Sequence, residues 1–243
     1  MIKAILTGHS KGLGLGVTHA LLAQGRQVLG LSRTENTALQ QEFPALLQQI
    51  PIDLSNNQAL DSLIRGNLLE QFITNTTLLL LINNAGLVTP IGPLSAQNPN
   101  DIARSIHLNV TAPMVLSAAL AKLLKGKQEL RILHVSSGAG RSAYPGWSVY
   151  CATKAALDMH AKAVMQDRQA NIKICSLAPG VIDTGMQAEI RQSDTALFPN
   201  RQRFIELSES GSLASPHATG ERIVNYLLSP KFGLQAVDDL RSN

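Results

Sequence analysis

The chain has few cysteines and few aromatic residues. Two cysteines among 243 residues, Cys151 and Cys175, cannot build a disulfide framework and point to a reducing compartment. Aromatic side chains make up 4% of the sequence against 44% hydrophobic residues, so the core must be made of Leu, Ile, Val and Ala. That composition suits parallel strands covered by helices, and it leaves no aromatic platform for stacking nucleobases. The net charge is +4, with Lys and Arg dispersed and no basic run, which argues against a nucleic-acid partner. The apolar start at residues 1–6 is too short for a signal peptide. The longest apolar stretch, around residues 78–82, falls far below membrane-spanning length. Six scattered histidines (His9, His19, His107, His134, His160 and His217) show no metal-ligand spacing, so no metal is expected and they read as surface or packing residues. Together these absences predict a soluble cytoplasmic protein.

What is present alternates between strand and helix. Strands are predicted at residues 2–6, 27–31, 50–54, 78–82, 130–135, 172–177 and 234–237. Helices are predicted at 12–24, 42–49, 55–72, 103–124 (broken near Pro113), 149–169 and 216–228. This order implies right-handed βαβ units in one α/β domain over residues 1–243: a doubly wound parallel sheet of about seven strands with helices on both faces. No linker or repeat divides it. Residues 183–215 read as a long irregular loop, the usual form of a lid or substrate-binding segment. In this topology ligands lie beyond the carboxyl ends of the strands, where Thr7, Asn83, Ser137, Pro179 and Gly180 should line one crevice.

Two local patterns carry chemistry. Gly8-His9-Ser10-Lys11-Gly12-Leu13-Gly14 follows the first strand and opens the first helix. Glycines there allow a tight turn and close approach to a pyrophosphate, and the helix start offers free N–H groups. Tyr150 and Lys154 stand four residues apart, on one helical face. An ordinary tyrosine has a pKa near ~10; a cation ~4 Å away at an effective dielectric of ~20 contributes about 4 kcal/mol, enough to bring a phenol toward neutral pH. Cys151 lies on a different helical face and reads as packing.

These motifs, with others in the same order, resemble the short-chain dehydrogenase/reductase family. The others are Asn83-Asn84-Ala85-Gly86 after the fourth strand, Asn109, the pair Ser136-Ser137, and Pro179-Gly180-Val181-Ile182-Asp183-Thr184 after the sixth strand. The resemblance implies a Rossmann-type fold and four catalytic residues. Tyr150 would exchange the carbonyl or alcohol proton, and Lys154 would tune it and hold the nicotinamide ribose. Ser137 would bond the substrate oxygen, and Asn109 would hold a relay water. Gly8, Ser10, Lys11, Gly12, Leu13 and Gly14 would cradle the cofactor, with Asn84, Ala85, Gly86, Pro179, Gly180, Ile182 and Thr184 completing the site. Asp53-Leu54 matches the adenine-contacting position, although Asp53 also reads as a helix-leading acid before Ser55. After the second strand an acid would favour NAD(H). Here Ser32-Arg33 stands instead, with Lys11 nearby, and predicts NADP(H) through forked contacts with the 2′-phosphate.

The segment from Ser136 to Asp158, with Pro145-Gly146-Trp147 before the tyrosine, is similar to the sepiapterin reductase and benzil reductase branch. That implies an NADPH-dependent reductase of ketones or vicinal dicarbonyls. Trp147 then serves as an aromatic wall or as core, and Asp238 is a candidate to grip the substrate. A broad-specificity alcohol dehydrogenase of the same family and a non-catalytic NADP-binding regulator stay open as alternatives. The family likeness also implies a homodimer or homotetramer.

Overall fold

A computed structural model of the chain describes residues 1–242. Seven strands run β1 (Ile2–Thr7), β2 (Gln27–Ser32), β3 (Leu47–Pro51), β4 (Leu78–Asn83), β5 (Glu129–Val135), β6 (Ile172–Ala178) and β7 (Val237–Asp239). Every pairing is parallel, in the order β3-β2-β1-β4-β5-β6-β7. The order reverses between β1 and β4, which opens the crevice for a ligand at that point.

Alternate residues of each inner strand face opposite sides of the sheet, and both sides are apolar. Leu6, Leu80, Ile82 and Leu177 face α1 (Gly12–Ala23) and α10 (Pro216–Leu228). Ile5, Leu79, Leu81 and Ile174 face the other layer, where α3 (Asn57–Arg65), α4 (Leu68–Ile73), α6 (Ala112–Leu123) and α7 (Ser148–Gln166) supply Leu60, Leu69, Leu116 and Ala161. Helices α1 and α10 touch backbone to backbone through Gly16 and Gly220. A Cβ on Gly220 would lie 2.3 Å from Gly16 C. Gly220→Ala is therefore expected to destabilise the fold by about 1–3 kcal/mol through overpacking. Melting curves should show a loss of several degrees, whereas Gly185→Ala, where an added Cβ meets nothing within 4 Å, should show none.

Several boundaries differ from the sequence expectation. Residues 42–49 are not a helix: α2 is Thr37–Glu42, capped by Asn36, and β3 begins at Leu47. The 55–72 helix is split into α3 and α4, and Asn56 rather than Ser55 caps α3. The segment 103–124 is α5 (Pro99–Ile106), a π-helical turn at His107–Thr111, then α6. Pro113 lies inside this continuous helical run, where it has no N–H to donate back to the preceding turn, and the π-helical irregularity stands just before it. The whole run Pro99–Leu123 is long and apolar enough to cross a membrane by length and composition, unlike residues 78–82. Here Leu116 and Leu120 of that run are core residues. Residues 183–215 are not irregular but carry α8 (Gly185–Gln192) and α9 (Arg201–Glu209).

Candidate active site

The glycine loop, the carboxyl ends of the central strands and helices α7, α8 and α9 enclose a cleft of about 950 Å³. Gly8, Ser10, Lys11, Gly12, Leu13 and Gly14 line one wall. The loop is closely fitted: a Cβ on Gly14 would lie 2.0 Å from Gly8 O. Asn84 fastens it to β4, since its Nδ2 donates to Thr7 O at 3.0 Å and Gly8 O at 3.1 Å. The Thr7 hydroxyl accepts from the N–H groups of Asn84 and Ala85 at 3.0 Å. Ser32, Arg33, Asp53 and Leu54 line the far end, and Gly86, Pro179, Gly180, Ile182 and Thr184 line the middle. The groove that these residues leave fits an extended dinucleotide. Its basic end belongs to Arg33 and Lys11, which make no ion pair among the described residues.

Asp53 leads into α3 through Ser55 and also borders the cleft. Its Oδ1 accepts from the Ser55 amide at 2.9 Å and hydroxyl at 2.6 Å, and it faces the cleft. Burial works against its charge, but the Ser55 bonds, Arg104 and Arg33 outweigh that and hold the carboxyl below its ordinary range. Arg104, on α5, lies 3.8 Å from Asp53 and also lines the cleft. Nothing in the sequence singled it out, because its neighbour in space is fifty residues away.

Tyr150 and Lys154 share the inner face of α7, both buried. The Ser137 hydroxyl stands near enough to the Tyr150 phenol to favour its ionised form, and accepts from the Ala139 N–H at 3.2 Å. Lys154 donates to Val135 O at 2.8 Å, and its ammonium lies 5.6 Å from the centre of the Tyr150 ring. The expected acidification of Tyr150 does not occur. Burial pushes the phenol up to about 12, and the nearby Ser137 hydroxyl only moderates this. Burial likewise pushes Lys154 down to about 8, against the pull of Asp158. The phenol thus keeps its proton at neutral pH.

Asn109 lies in the π-helical turn, outside the cleft lining. Its Oδ1 accepts from Leu87 N–H at 2.8 Å and its Nδ2 donates to Leu87 O at 2.8 Å. Ser105 Oγ at 3.3 Å and Thr153 Oγ1 at 3.2 Å also accept from that Nδ2. The side chain therefore braces the Gly86–Leu87 turn.

Trp147 is both wall and core. It lines the cleft, is 4% exposed, and stacks on Phe198 at 4.6 Å with Tyr150 edge-on at 5.3 Å. Phe204 of α9 and Ile190 of α8 close the same apolar corner. Asp238 is not in the cleft. Its Oδ2 accepts from the Tyr226 hydroxyl of α10 at 2.7 Å, because Asp238 pairs with Leu177 and so faces the α1–α10 side. The expected substrate grip by Asp238 is corrected accordingly.

A network that sequence reasoning missed supports the site from below. Asp158, one turn beyond Lys154, is buried; its Oδ1 accepts from Ser136 and Ser176 hydroxyls at 2.7 Å. Its Oδ2 accepts from Arg141 Nε at 3.2 Å, and Arg141 also donates to Asp238 O at 2.8 Å. One carboxylate thereby ties α7 to the strand end that carries Ser137. The spacing Tyr150, Lys154, Asp158 was the available signal.

A family profile described as short chain dehydrogenase matches residues 3–195. A benzil reductase ((S)-benzoin forming) of Bacillus cereus is 35% identical over 239 residues, 96% of each chain. A sepiapterin reductase of Xenopus laevis is 28% identical, covering 93% of this chain and 90% of the relative. The crystal structure of a short-chain dehydrogenase/reductase from Burkholderia vietnamiensis, 41% identical, superposes with a TM-score of 0.73 over 99% of this chain and 97% of that one. By its fold, its ordered motifs and these likenesses, the chain belongs to the short-chain dehydrogenase family and is an oxidoreductase acting on CH–OH or C=O groups.

Proposed function

We propose that this chain is an NADPH-dependent carbonyl reductase acting on a ketone or vicinal dicarbonyl of the benzil or sepiapterin kind. The observation that carries the reading is the buried, protonated Tyr150 beside Ser137 at an aromatic corner of the cleft. A bound nicotinamide supplies the hydride. Ser137 and Tyr150 hold the substrate oxygen by two hydroxyls and Tyr150 gives it a proton, a task for which a phenol with a pKa of about 12 is in the right form. Lys154 faces the tyrosinate left behind, and its charge stabilises it. Trp147, Phe204 and Ile190 favour a flat, apolar group beside the carbonyl. Benzil reductase relatives at 35% and 37% identity support the dicarbonyl class. The test is loss of NADPH absorbance with benzil, sepiapterin and a simple ketone. Turnover of a dicarbonyl is expected; NADPH binding with no turnover of any carbonyl would favour a non-catalytic regulator.

The preference for NADP(H) rests on Ser32, Arg33 and Lys11 at the far end of the cleft. Arg33→Ala is expected to cost one charge-assisted contact, about 1.5–3 kcal/mol, or roughly tenfold to hundredfold in NADPH affinity. NADH affinity should hardly change; equal losses for both in a fluorescence titration would refute the phosphate role. Residence in the cytoplasm accords with two free cysteines. Assembly as a homodimer or homotetramer accords with exposed Ile106 on α5 and Met159 on α7.

A further inference from the structure

His9 lies inside the glycine loop but takes no part in the proposed reaction. It is completely buried. Its ring fills the hollow left by Gly30 of β2, where a Cβ would stand 2.4 Å from His9 Cγ. A glycine inside a strand weakens it, so hollow and ring are matched. The ring joins three segments that frame the far end of the cleft. His9 Nε2 lies 2.6 Å from Gln49 Oε1 on β3. That Gln49 atom is the oxygen, because the Asn36 N–H donates to it at 2.7 Å, so His9 Nε2 carries a proton. On the other side, His9 Nδ1 lies 3.0 Å from Ser32 Oγ, and Ser32 Oγ lies 2.7 Å from Thr34 O.

These three contacts need three protons. Neutral His9 supplies one and the Ser32 hydroxyl one, so either Nδ1 or Thr34 O goes without. An imidazolium fills all three. Burial lowers the pKa of His9, opposed by the Gln49 bond and the charge of Glu35, so the ring is neutral at pH 7 without an added anion. The charged groups around this corner are Glu35 before α2, Arg33 at the end of β2 and Lys11 in the glycine loop; β3 and α2 face it with neutral Gln49, Asn36 and Gln40.

We propose that His9 is a specificity-determining positioning residue for the 2′-phosphate of NADP(H): as the phosphate docks it takes up a proton from water, its Nδ1–H then donates to Ser32 Oγ, and the Ser32 hydroxyl proton, no longer held by Nδ1, turns from Thr34 O to the phosphate. The phosphate brings a charge of about −1.5 to −2, which favours the imidazolium behind Ser32. A plain 2′-hydroxyl brings no charge and draws no proton. The inference rests on the NADP(H) reading above.

Calorimetric titration of the whole chain with NADP+ and NAD+ at about pH 7, in buffers of different ionisation enthalpy, counts the protons exchanged. A phosphate with a second pKa near ~6 releases protons beside cations, so uptake has the opposite sign to the ligand's own titration. Net uptake is expected with NADP+ and none with NAD+. His9→Phe, which keeps a ring in the hollow, should abolish the uptake and lower the NADP+ over NAD+ preference by about tenfold. The smaller His9→Asn should do the same if the larger ring does not fit. In a Ser32→Ala background either change should have no further effect on the preference. Preferential NADP+ binding without proton uptake, or uptake and preference that survive both His9 variants, would overturn the proposal. A wild-type chain with no preference for NADP+ would instead defeat the cofactor reading, and the inference with it.

Discussion

Tyr150→Phe is expected to lower the reductase rate by about 10²–10⁴-fold while leaving NADPH affinity within a few-fold of wild type. The ring stays in place: Trp147 packs edge-on against it at 5.3 Å, and phenylalanine keeps that contact. What is lost is the hydroxyl beside Ser137, the proposed source of the proton. The fold should therefore survive, and a melting temperature close to wild type would show that it has. Single-turnover rates with a saturating dicarbonyl, beside NADPH fluorescence titration, separate chemistry from binding. A variant that still turns over at near wild-type rate would remove Tyr150 from the reaction and with it the proposed mechanism. The high phenol pKa also means that the group meets a carbonyl substrate in its acid form. A tyrosine that holds its proton up to about 12 suits reduction at neutral pH better than removal of a proton from an alcohol.

The parts of this fold that were legible in the sequence are those where one short segment carries the whole signal. Leu78–Ile82 reads as a strand buried on both faces because all five residues are apolar, and both faces of β4 are indeed in the core. The glycine loop and the Tyr150–Lys154 spacing are equally local. β3 was misplaced because it is an edge strand of sequence LQQIP, half polar, with nothing to distinguish it from a helix end. Residues 183–215 look like a loop in sequence because α8 and α9 are short and polar on most of their surface, and owe their place to Ile190 and Phe204 against Trp147.

Side-chain destinations were harder than elements. Asp238 was placed by likeness to a family position across a one-residue gap, and a one-residue slip in a strand sends a side chain to the opposite face. β7 is three residues long, so its own pattern could not fix the register; its pairing with Leu177 and Ala178 does. His9 reads as a surface residue in any local sense, since the hollow that buries it is a missing side chain 21 positions later, at Gly30. The effect of Lys154 on Tyr150 was sized from charge alone. Burial of both groups, a property of the assembled core, reverses the outcome for the phenol.

Asp158 is where this misjudged electrostatics can be tested. Asp158→Asn removes the charge that holds Lys154 up, so the lysine should lose its proton below the value of about 8 that it has in the native chain. If the ammonium stabilises the tyrosinate left by proton donation, the reductase rate falls as pH rises through the Lys154 pKa. In the variant that fall should begin at lower pH, and a limb that stays in place would show that Lys154 does not set it. The substitution also breaks a buried network: the new amide meets Arg141 Nε, 3.2 Å from Oδ2, donor to donor, or the Ser136 and Ser176 hydroxyls if it turns. Breaking a buried charge pair costs about 3–5 kcal/mol, and the partly open Arg141 places this one at about 3 kcal/mol, the lower end of that range. In a domain of this size that is a fall of roughly 6–12 °C in melting temperature. The two effects are separable, because a loss of packing alone lowers the rate at every pH and leaves the alkaline limb where it was. A shifted limb, measured well below the melting temperature, assigns Asp158 to the proton chemistry of the site as well as to its scaffold.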